Sequence, residues 1–545
     1  MCLPFGMPRS SGLPAGVALW VAIGLAAGHV GGAGWASVVR YETPYRFADT
    51  TQAGEPLASR VILVLVDGLR LDRSRQMPSL NRLRAKGADL ACVSGVPSYS
   101  RPGRANLATG ASPELHGATT NRHKGVLAID NLFRGCSRAG SAVAIAGSEL
   151  WGELFQPDLE HAVFFEPPSA EVRGGFARVS PQMLSAESRA VEFILAQKAR
   201  IGVIDLVVPD YAAHEHGARS GEYARACHET DRLIGALADR IDPWRTLLVV
   251  TADHGHLDEG GHGGDEPETV SIPLVLAGRG VREGVTGTAR QIDVAATIAA
   301  LTGLPIPGGS EGRVLREALD LEPEFAAALA EREKRQQTAF AAALANSLGT
   351  GEVGASIETV RAARTSAERR ARLPEVVLLA ALAIGLAALP LRQGGASALV
   401  AGLAGALLNE LLFRGLVAWQ EIRLSLSAIN HDEDVAPYFG HLLALGALAT
   451  LTSLALVTGI AARRAPRRTA LLGLAAVSGA GLALLLPVLR LHASQGLFMH
   501  WAVGDIGASF GGFVSLQRLR STGLSALAVP VFAFLADRLY RPWLW

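Results

Sequence analysis

Cysteine is scarce: four residues in a chain of 545, Cys2, Cys92, Cys136 and Cys227, none of them in a Cys-x-x-Cys pair. So few thiols exclude a disulfide framework, and they leave open either a single Cys92–Cys136 bridge or two buried free thiols. A surplus of either charge is also missing, with 51 Lys and Arg against 50 Asp and Glu. No basic face accumulates, which speaks against a nucleic-acid partner. What the chain has in quantity is apolar length. From Leu57 to Arg372 charged residues are frequent, whereas from Leu373 onward the sequence is a series of stretches rich in Ala, Leu and Gly. Each is about 18–22 residues long, enough to span a bilayer. The expectation is a membrane protein with a water-exposed head.

Residues 13–34 are apolar, contain one histidine and no acidic or basic residue, and follow Arg9. They read as a first transmembrane helix. The alternative is a cleaved signal peptide, for which Gly34-Trp35-Ala36-Ser37 is a poor cleavage site and the apolar run is long. Further spans are expected at 374–391, 395–413, 440–461, 469–490, 497–516 and 522–539, the fifth interrupted by Asp505 and glycines. The predicted domains are therefore an anchor at 1–40, a catalytic domain at 55–310, a helical linker at 311–372 and a membrane domain of five or six helices at 373–545. The linker, rich in Ala, Glu and Arg, reads as amphipathic helices serving as a solvated spacer. Arg463-Arg464-Ala465-Pro466-Arg467-Arg468 and Arg518-Leu519-Arg520 read as basic loops, and His431-Asp432-Glu433-Asp434 as an acidic one. The positive-inside rule then puts the head outside. Only the basic cluster Arg361–Arg372 runs against this orientation, which corresponds to an integral protein of the cell inner membrane with its head extracytoplasmic. Asn409, Glu410 and Arg414 near the end of one span, and Asp505 inside another, are polar groups at costly depths.

In the head, apolar strand candidates at 60–66, 142–146, 201–208, 246–251 and 270–277 alternate with helical patterns near 78–87, 102–110, 183–200, 220–241 and 291–302. Alternation of this kind predicts an α/β fold, a mostly parallel sheet with helices on both faces, joined to an all-α transmembrane bundle. Three strands run into an acid, two of them with a histidine close by: Val61–Val66 into Asp67-Gly68, Ile204–Val208 into Asp210 and His214, and Val249–Val250 into Asp253-His254-Gly255. With His262 they offer six ligands of zinc type. Between them falls Ser100, at the start of a predicted helix. Its alkoxide would be favoured there by the helix dipole and free amides, which also suit a phosphate; the competing reading is a serine that merely caps the helix. Arg101 and Arg104 read either as a clamp on a substrate anion or as charges solvating the helix start. His216 and His256 read as flanking residues that orient ligands or face solvent.

Six ordered motifs carry a resemblance: Val66-Asp67-Gly68, the segment from Ser100 to Thr109-Gly110, Pro113-Glu114-x-His116-Gly117 with Asn121, Pro209-Asp210-x-x-x-His214-x-x-Gly217, Ala252-Asp253-His254-Gly255 and Gly261-His262-Gly263. Over about residues 58–310 the chain resembles the alkaline phosphatase superfamily, in its type I phosphodiesterase and nucleotide pyrophosphatase branch. The resemblance implies an alkaline-phosphatase-like fold and two Zn2+ ions, with Mn2+ or another divalent metal as substitutes. Asp210, His214 and His262 would hold one ion, and Asp67, Asp253, His254 and the oxygen of Ser100 the other. Asn121 would donate to a nonbridging phosphate oxygen, and Ser100 would become a phosphoserine. The membrane layout, and Pro97-x-x-Ser100-Arg101-Pro102-Gly103, resemble the ethanolamine-phosphate transferases of glycolipid anchor synthesis, except that Arg104 stands where those enzymes have a histidine. The implied activity is a phosphodiesterase or phosphotransferase acting on a small-molecule or lipid-linked phosphate ester, among membrane lipids. Two rivals remain at this level. Ser100-x-Pro102-x-Arg104 also resembles the sulfatase motif, whose first residue becomes formylglycine, though the lone Asp67 and the His ligands suit zinc better than calcium. A transporter or scaffold with a degenerate head is opposed by the presence of all six ligand positions.

Overall fold

The computed structural model describes residues 13–45, 53–165, 181–351, 356–429 and 434–540. Cys2, Arg9, part of the linker at 44–56 and the run His431-Asp432-Glu433 lie outside the described residues. The head is built on one eight-stranded sheet: β1 Arg60–Val66, β2 Gly87–Val93, β3 Val143–Gly147, β4 His161–Phe164, β5 Ile201–Leu206, β6 Thr246–Thr251, β7 Ser271–Gly278 and β8 Val285–Arg290. Their order is β4-β3-β5-β1-β6-β7-β2-β8, and β7 alone runs against the others. The continuous apolar run Val61–Val66 is buried at every residue, as expected of a central parallel strand covered on both faces. In register, Val66 lies beside Leu206 and Leu65 beside Thr251, so β5, β1 and β6 end at one edge of the sheet. Ligands gather at that edge in open α/β sheets.

Three strands escape the sequence reading. β2 is diluted by Gly, Ala and Asp, which are poor strand formers, and exists because β7 and β8 pair with it on either side. β4 is four residues long, and β8 is an exposed edge with a central glycine. The expected strand 201–208 stops at Leu206, because Val208-Pro209 opens a helix, Val208–His216, with proline in its first turn.

Five helices are long and apolar enough to cross a membrane, making this an integral membrane protein: Leu13–Val39, Ala388–Trp419, Val435–Arg464, Pro466–Ser494 and Ile506–Tyr540. The first packs into the bundle, its Trp20 Nε1 donating to Ser478 Oγ at 2.9 Å. The helix spanning Ile357–Trp419 breaks at Gly395 (φ 52°, ψ −139°). Before the break it descends from the head, with Arg372 on the His492 carbonyl and Gly394 against Leu471. After it the chain climbs back, through Asn409 bonded to Thr450, to Arg423 paired with Glu259 of the head. The fifth and sixth expected C-terminal spans prove to be one crossing: Ile506–Ser525 continues through a turn at Ala526–Ala528 into Val529–Tyr540. Asp505 is not inside a span but caps this helix, accepting from the Ala508 amide at 2.8 Å. Nor are Arg518 and Arg520 in a loop. Arg518 is buried in that helix, donating to Asn409 at 2.9 Å, pairing with Glu410 at 2.8 Å and lying over Phe413. The costly polar cluster thus satisfies itself within the bundle.

The stretch expected to be a solvated spacer is a joint. Helix Pro323–Leu348 buries Leu329, Phe340 and Leu344 in the head core, and Gln336 donates to the carbonyls of Pro307, Gly308 and Ser310. The basic cluster is occupied as well, with Arg361 on Glu114 and Glu311, and Arg369 on the Ser494 carbonyl. Arg361 and Arg369 thus help dock the head on the bundle. Cys92, Cys136 and Cys227 are free and buried, which settles the cysteine question for the described residues.

Candidate active site

Asp67 follows β1, Asp253 and His254 follow β6, and Asp210 and His214 sit one turn apart on helix Val208–His216. His262 arrives on a glycine-flanked loop, pinned by Nδ1 at 2.8 Å from the Ser98 carbonyl, so that Nε2 faces inward. His254 is oriented the same way, with Nδ1 at 3.0 Å from the Gly255 carbonyl and Nε2 left for the site. A backbone partner on one ring nitrogen fixes which nitrogen is available to a ligand.

Two donor clusters result. Asp210, His214, His256 and His262 offer atoms within 4.8 Å of one another, as do Asp67, Asp253 and His254. In the first cluster, the Nε2 atoms of His214 and His262 point at each other 3.1 Å apart, with Asp210 Oδ1 at 3.5 and 3.9 Å. In the second, Asp67 Oδ1 is buried and accepts no hydrogen bond, lying 3.4 Å from His254 Nε2. An orphaned buried carboxylate oxygen and facing imidazole nitrogens fit a divalent cation, and a nitrogen and oxygen donor set without thiolate suits zinc or manganese.

Ser100 is the first residue of helix Ser100–Thr109, and Tyr99 occupies the capping position. Its hydroxyl therefore does not cap the helix; Oγ lies 3.1 Å from His254 Nε2, beside the second cluster. The helix approaches this closely because residue 103 is glycine: a Cβ there would come within 2.6 Å of the Asp253 Cβ. Asn121 stands at the rim, its Oδ1 accepting from the Arg101 amide at 3.0 Å. Arg101 turns its guanidinium to Glu153. Arg104 is corrected outright as a substrate clamp. It has no exposure, and it donates to Asp67 (2.7 Å), Asp253 (2.6 Å) and Asp205 (2.8 Å), so no group is left for a substrate anion.

One participant escapes the sequence reading, and a second is read there only as a residue that orients ligands or faces solvent. Asp205, held by Arg104 and by Trp151 Nε1 at 2.9 Å, was legible only as an odd carboxylate inside the apolar run Ile201–Leu206. His256 was read as a flanking residue. It is buried, with Nε2 2.7 Å from Asp210 Oδ1, inside the first cluster, whereas His216 is partly exposed beside Glu215.

Protonation follows the geometry. Burial works against the Asp210 carboxylate, yet His214, His256 and His262 hold it well below the ordinary carboxyl range. Burial, together with His254 and His214, keeps His262 well below the usual imidazole value. An ionised Asp210 and a neutral His262 are the forms a metal takes. Asp67 differs: burial, with the charges of Asp210 and Asp253, pushes it up to about 8 despite Arg104 and His254. Burial works against protonated His254 too, yet Asp253, Asp67 and Asp210 raise it, so a cation entering there displaces protons from both residues and affinity should climb by at least about tenfold per pH unit below pH ~8. The metal-free fold behaves oppositely. The stability contributed by protonated Asp67 is complete below its unfolded value of about 4 and is lost as pH rises through about 8. Calorimetric titration with zinc at several pH values checks this, and affinity independent of pH would refute it.

With this geometry in place, comparison with known proteins is informative. Residues 61–263 match the type I phosphodiesterase / nucleotide pyrophosphatase family. The stretch matched by that family runs from β1 to the His262 loop and holds both donor clusters and Ser100. Among curated relatives, the chain is 30% identical over 293 residues to the human GPI ethanolamine phosphate transferase 3, catalytic subunit, covering 48% of this chain and 26% of that protein. The human GPI ethanolamine phosphate transferase 2, catalytic subunit, is 28% identical over 289 residues, covering 49% and 29%. The chain thus spans little more than a quarter of the length of these relatives. Among solved structures, the murine ectonucleotide pyrophosphatase / phosphodiesterase 5 overlays 48% of this chain and all of that one, at TM-score 0.39 and 15% identity.

Proposed function

We propose that this protein is a metal-dependent phosphodiesterase or phosphotransferase that works through a phosphoserine at Ser100 on a lipid-linked phosphate ester. The observation that carries the reading is the Ser100 hydroxyl at a helix N-terminus, 3.1 Å from His254 Nε2 and beside two histidine and aspartate clusters. Asp210, His214 and His262, with His256 at their side, would hold one divalent ion, and Asp67, Asp253, His254 and Ser100 Oγ the second. Two Zn2+ ions would supply charge to the attacking and leaving oxygens of a phosphoryl transfer. The chain's own part is positional. The positive end of the dipole of helix Ser100–Thr109 favours an alkoxide at Oγ and a phosphate near it. Oγ attacks phosphorus, the bond to the leaving alcohol breaks, and the phosphoryl group stays on Ser100. The Asn121 side-chain amide donates to a nonbridging oxygen. Water or an acceptor hydroxyl then attacks the phosphoserine and restores the serine.

The relatives are ethanolamine phosphate transferases by name, which supports a phospholipid or glycolipid headgroup as substrate. Helix Val435–Arg464, 30 residues long, carries the basic run Arg463–Arg468 about 45 Å from the head, which by the positive-inside rule supports a head on the extracytoplasmic face of the inner membrane. The test is hydrolysis of nitrophenyl phosphate, a nitrophenyl phosphodiester and nitrophenyl sulfate by the detergent-solubilised chain. Phosphoester cleavage lost to a chelator and restored by zinc is expected. Sulfate cleavage alone, indifferent to the chelator, would replace this reading with formylglycine chemistry at Ser100.

A further inference from the structure

Asp67, Asp253 and His254 leave the ends of sheet strands, and Asp210 and His214 share a helix that begins at another. His262 is carried differently, by the run Gly260-Gly261-His262-Gly263-Gly264, which is neither strand nor helix. Glycine has no side chain to pack and the most backbone freedom to lose, so such a run does not hold an imidazole in place by itself. The nucleophile segment holds it from one side. Ser98 Oγ donates to the Gly264 carbonyl at 2.7 Å and accepts from the Gly263 amide at 2.9 Å, and the Ser98 carbonyl accepts from His262 Nδ1 at 2.8 Å.

The other side is held from the membrane. The chain that follows membrane helix Ala388–Trp419 brackets His262: Arg423 pairs with Glu259 before it, and Ser427 Oγ accepts from the Gly264 amide after it, at 2.9 Å. Ser427 Oγ in turn donates to Glu266 Oε2 at 2.7 Å, and Ser425 Oγ to the other oxygen of that carboxylate. The approach is this close because residue 264 is glycine, where a Cβ would come within 2.8 Å of both serine hydroxyls. Ser427 is only 1% exposed, so water does not compete for its hydroxyl. The turn that bears it, Leu426–Ala428, is rooted in the bundle, with Leu426 and Ile429 packed in one apolar cluster with Phe413, Phe439 and Phe510. From that cluster to the imidazole the path is three hydrogen bonds long: Ser427 to Gly264, Gly264 to Ser98 and Ser98 to His262 Nδ1. Fixing Nδ1 is what aims Nε2 at an ion.

We infer that the membrane bundle completes the metal site: Ser427 is a positioning residue that fixes His262 from the membrane side, so the ion at Asp210, His214 and His262 is held at full strength only by a head docked on its bundle. Resting on the reading of those three residues as ligands given above, this assigns the membrane domain a part in the site besides anchorage.

The test is titration of zinc, by calorimetry, into the full metal-free chain in detergent. His262→Ala identifies which equivalent of zinc this cluster binds. In Ser427→Ala that equivalent should bind about tenfold or more weakly while the other is unchanged, the usual cost of losing a group that orients a ligand. Wild-type affinity in Ser427→Ala would overturn the inference. So would an equal loss at both equivalents with a lower melting midpoint of the metal-free protein, because the serine would then be a fastener and nothing more. Hydrogen exchange in the metal-free protein separates the clamp from the metal. The Gly263 and Gly264 amides should exchange about tenfold faster in Ser427→Ala than in the wild type. Faster exchange in a chain that binds no zinc would sink the ligand reading and leave the clamp standing, whereas unchanged exchange in a chain that binds zinc would sink the clamp alone.

Discussion

Arg104→Met should cost the head about 3–5 kcal/mol of stability, the price of stranding buried charge. The guanidinium is fully buried and bonds three carboxylates from three neighbouring strands, Asp205 of β5, Asp67 after β1 and Asp253 after β6, as well as the Ser100 carbonyl at 3.2 Å. Methionine fills much of the volume but leaves these acids facing one another. Asp205 shows how much they depend on the cation: burial pushes its carboxyl up to about 6 even with Arg104 beside it. Lysine supplies the charge without the planar fork, so Arg104→Lys should fall between the two. The measurement is the melting midpoint of the head in detergent near neutral pH. A drop of about 10 °C for methionine is expected from a cost of this size. A midpoint unchanged from the wild type would mean that the network is not what holds the three strand ends together.

Ser100→Ala should lower phosphodiester turnover by about 10^3-fold or more while leaving the melting midpoint as it was and the ion at Asp210, His214 and His262 in place. The expectation is sharp because the serine has no structural duty to lose. Tyr99, not Ser100, occupies the N-cap position, and the one hydrogen bond that Oγ makes among the described residues is to His254, which stays anchored through Nδ1 on the Gly255 carbonyl. Acid quenching during turnover of a substrate labelled in its phosphate should trap label on Ser100 in the wild type and none in the variant. Turnover within tenfold of the wild type would remove Ser100 as nucleophile.

The sheet was legible wherever a strand is central and buried on both faces, because β1, β6 and β7 are largely continuous apolar runs and β5 is one interrupted only by Asp205. It was not legible where tertiary pairing makes the strand, as at β2 and β8. The residues of the two donor clusters were visible because acids and histidines following apolar runs stand out. Arg104 was visible but misjudged, since sequence cannot distinguish a guanidinium facing solvent from one enclosed by three acids. In the membrane half, apolar length was plain but its phase was not. Asp505 reads as inside a span and Arg518 as part of a loop, yet the first caps a helix at its end and the second is buried in mid-helix against Glu410.

The head is fastened to the bundle on several sides. Arg361 is clamped to Glu114 and Glu311, Arg423 to Glu259, Ser425 and Ser427 to Glu266 beside the His262 loop, and Tyr45 Oη to the Trp501 carbonyl at 2.6 Å. Tilting it would break charged pairs on opposite rims at once. The elevation of Ser100 above the bilayer is then a constant of the molecule, and the protein acts as a height gauge.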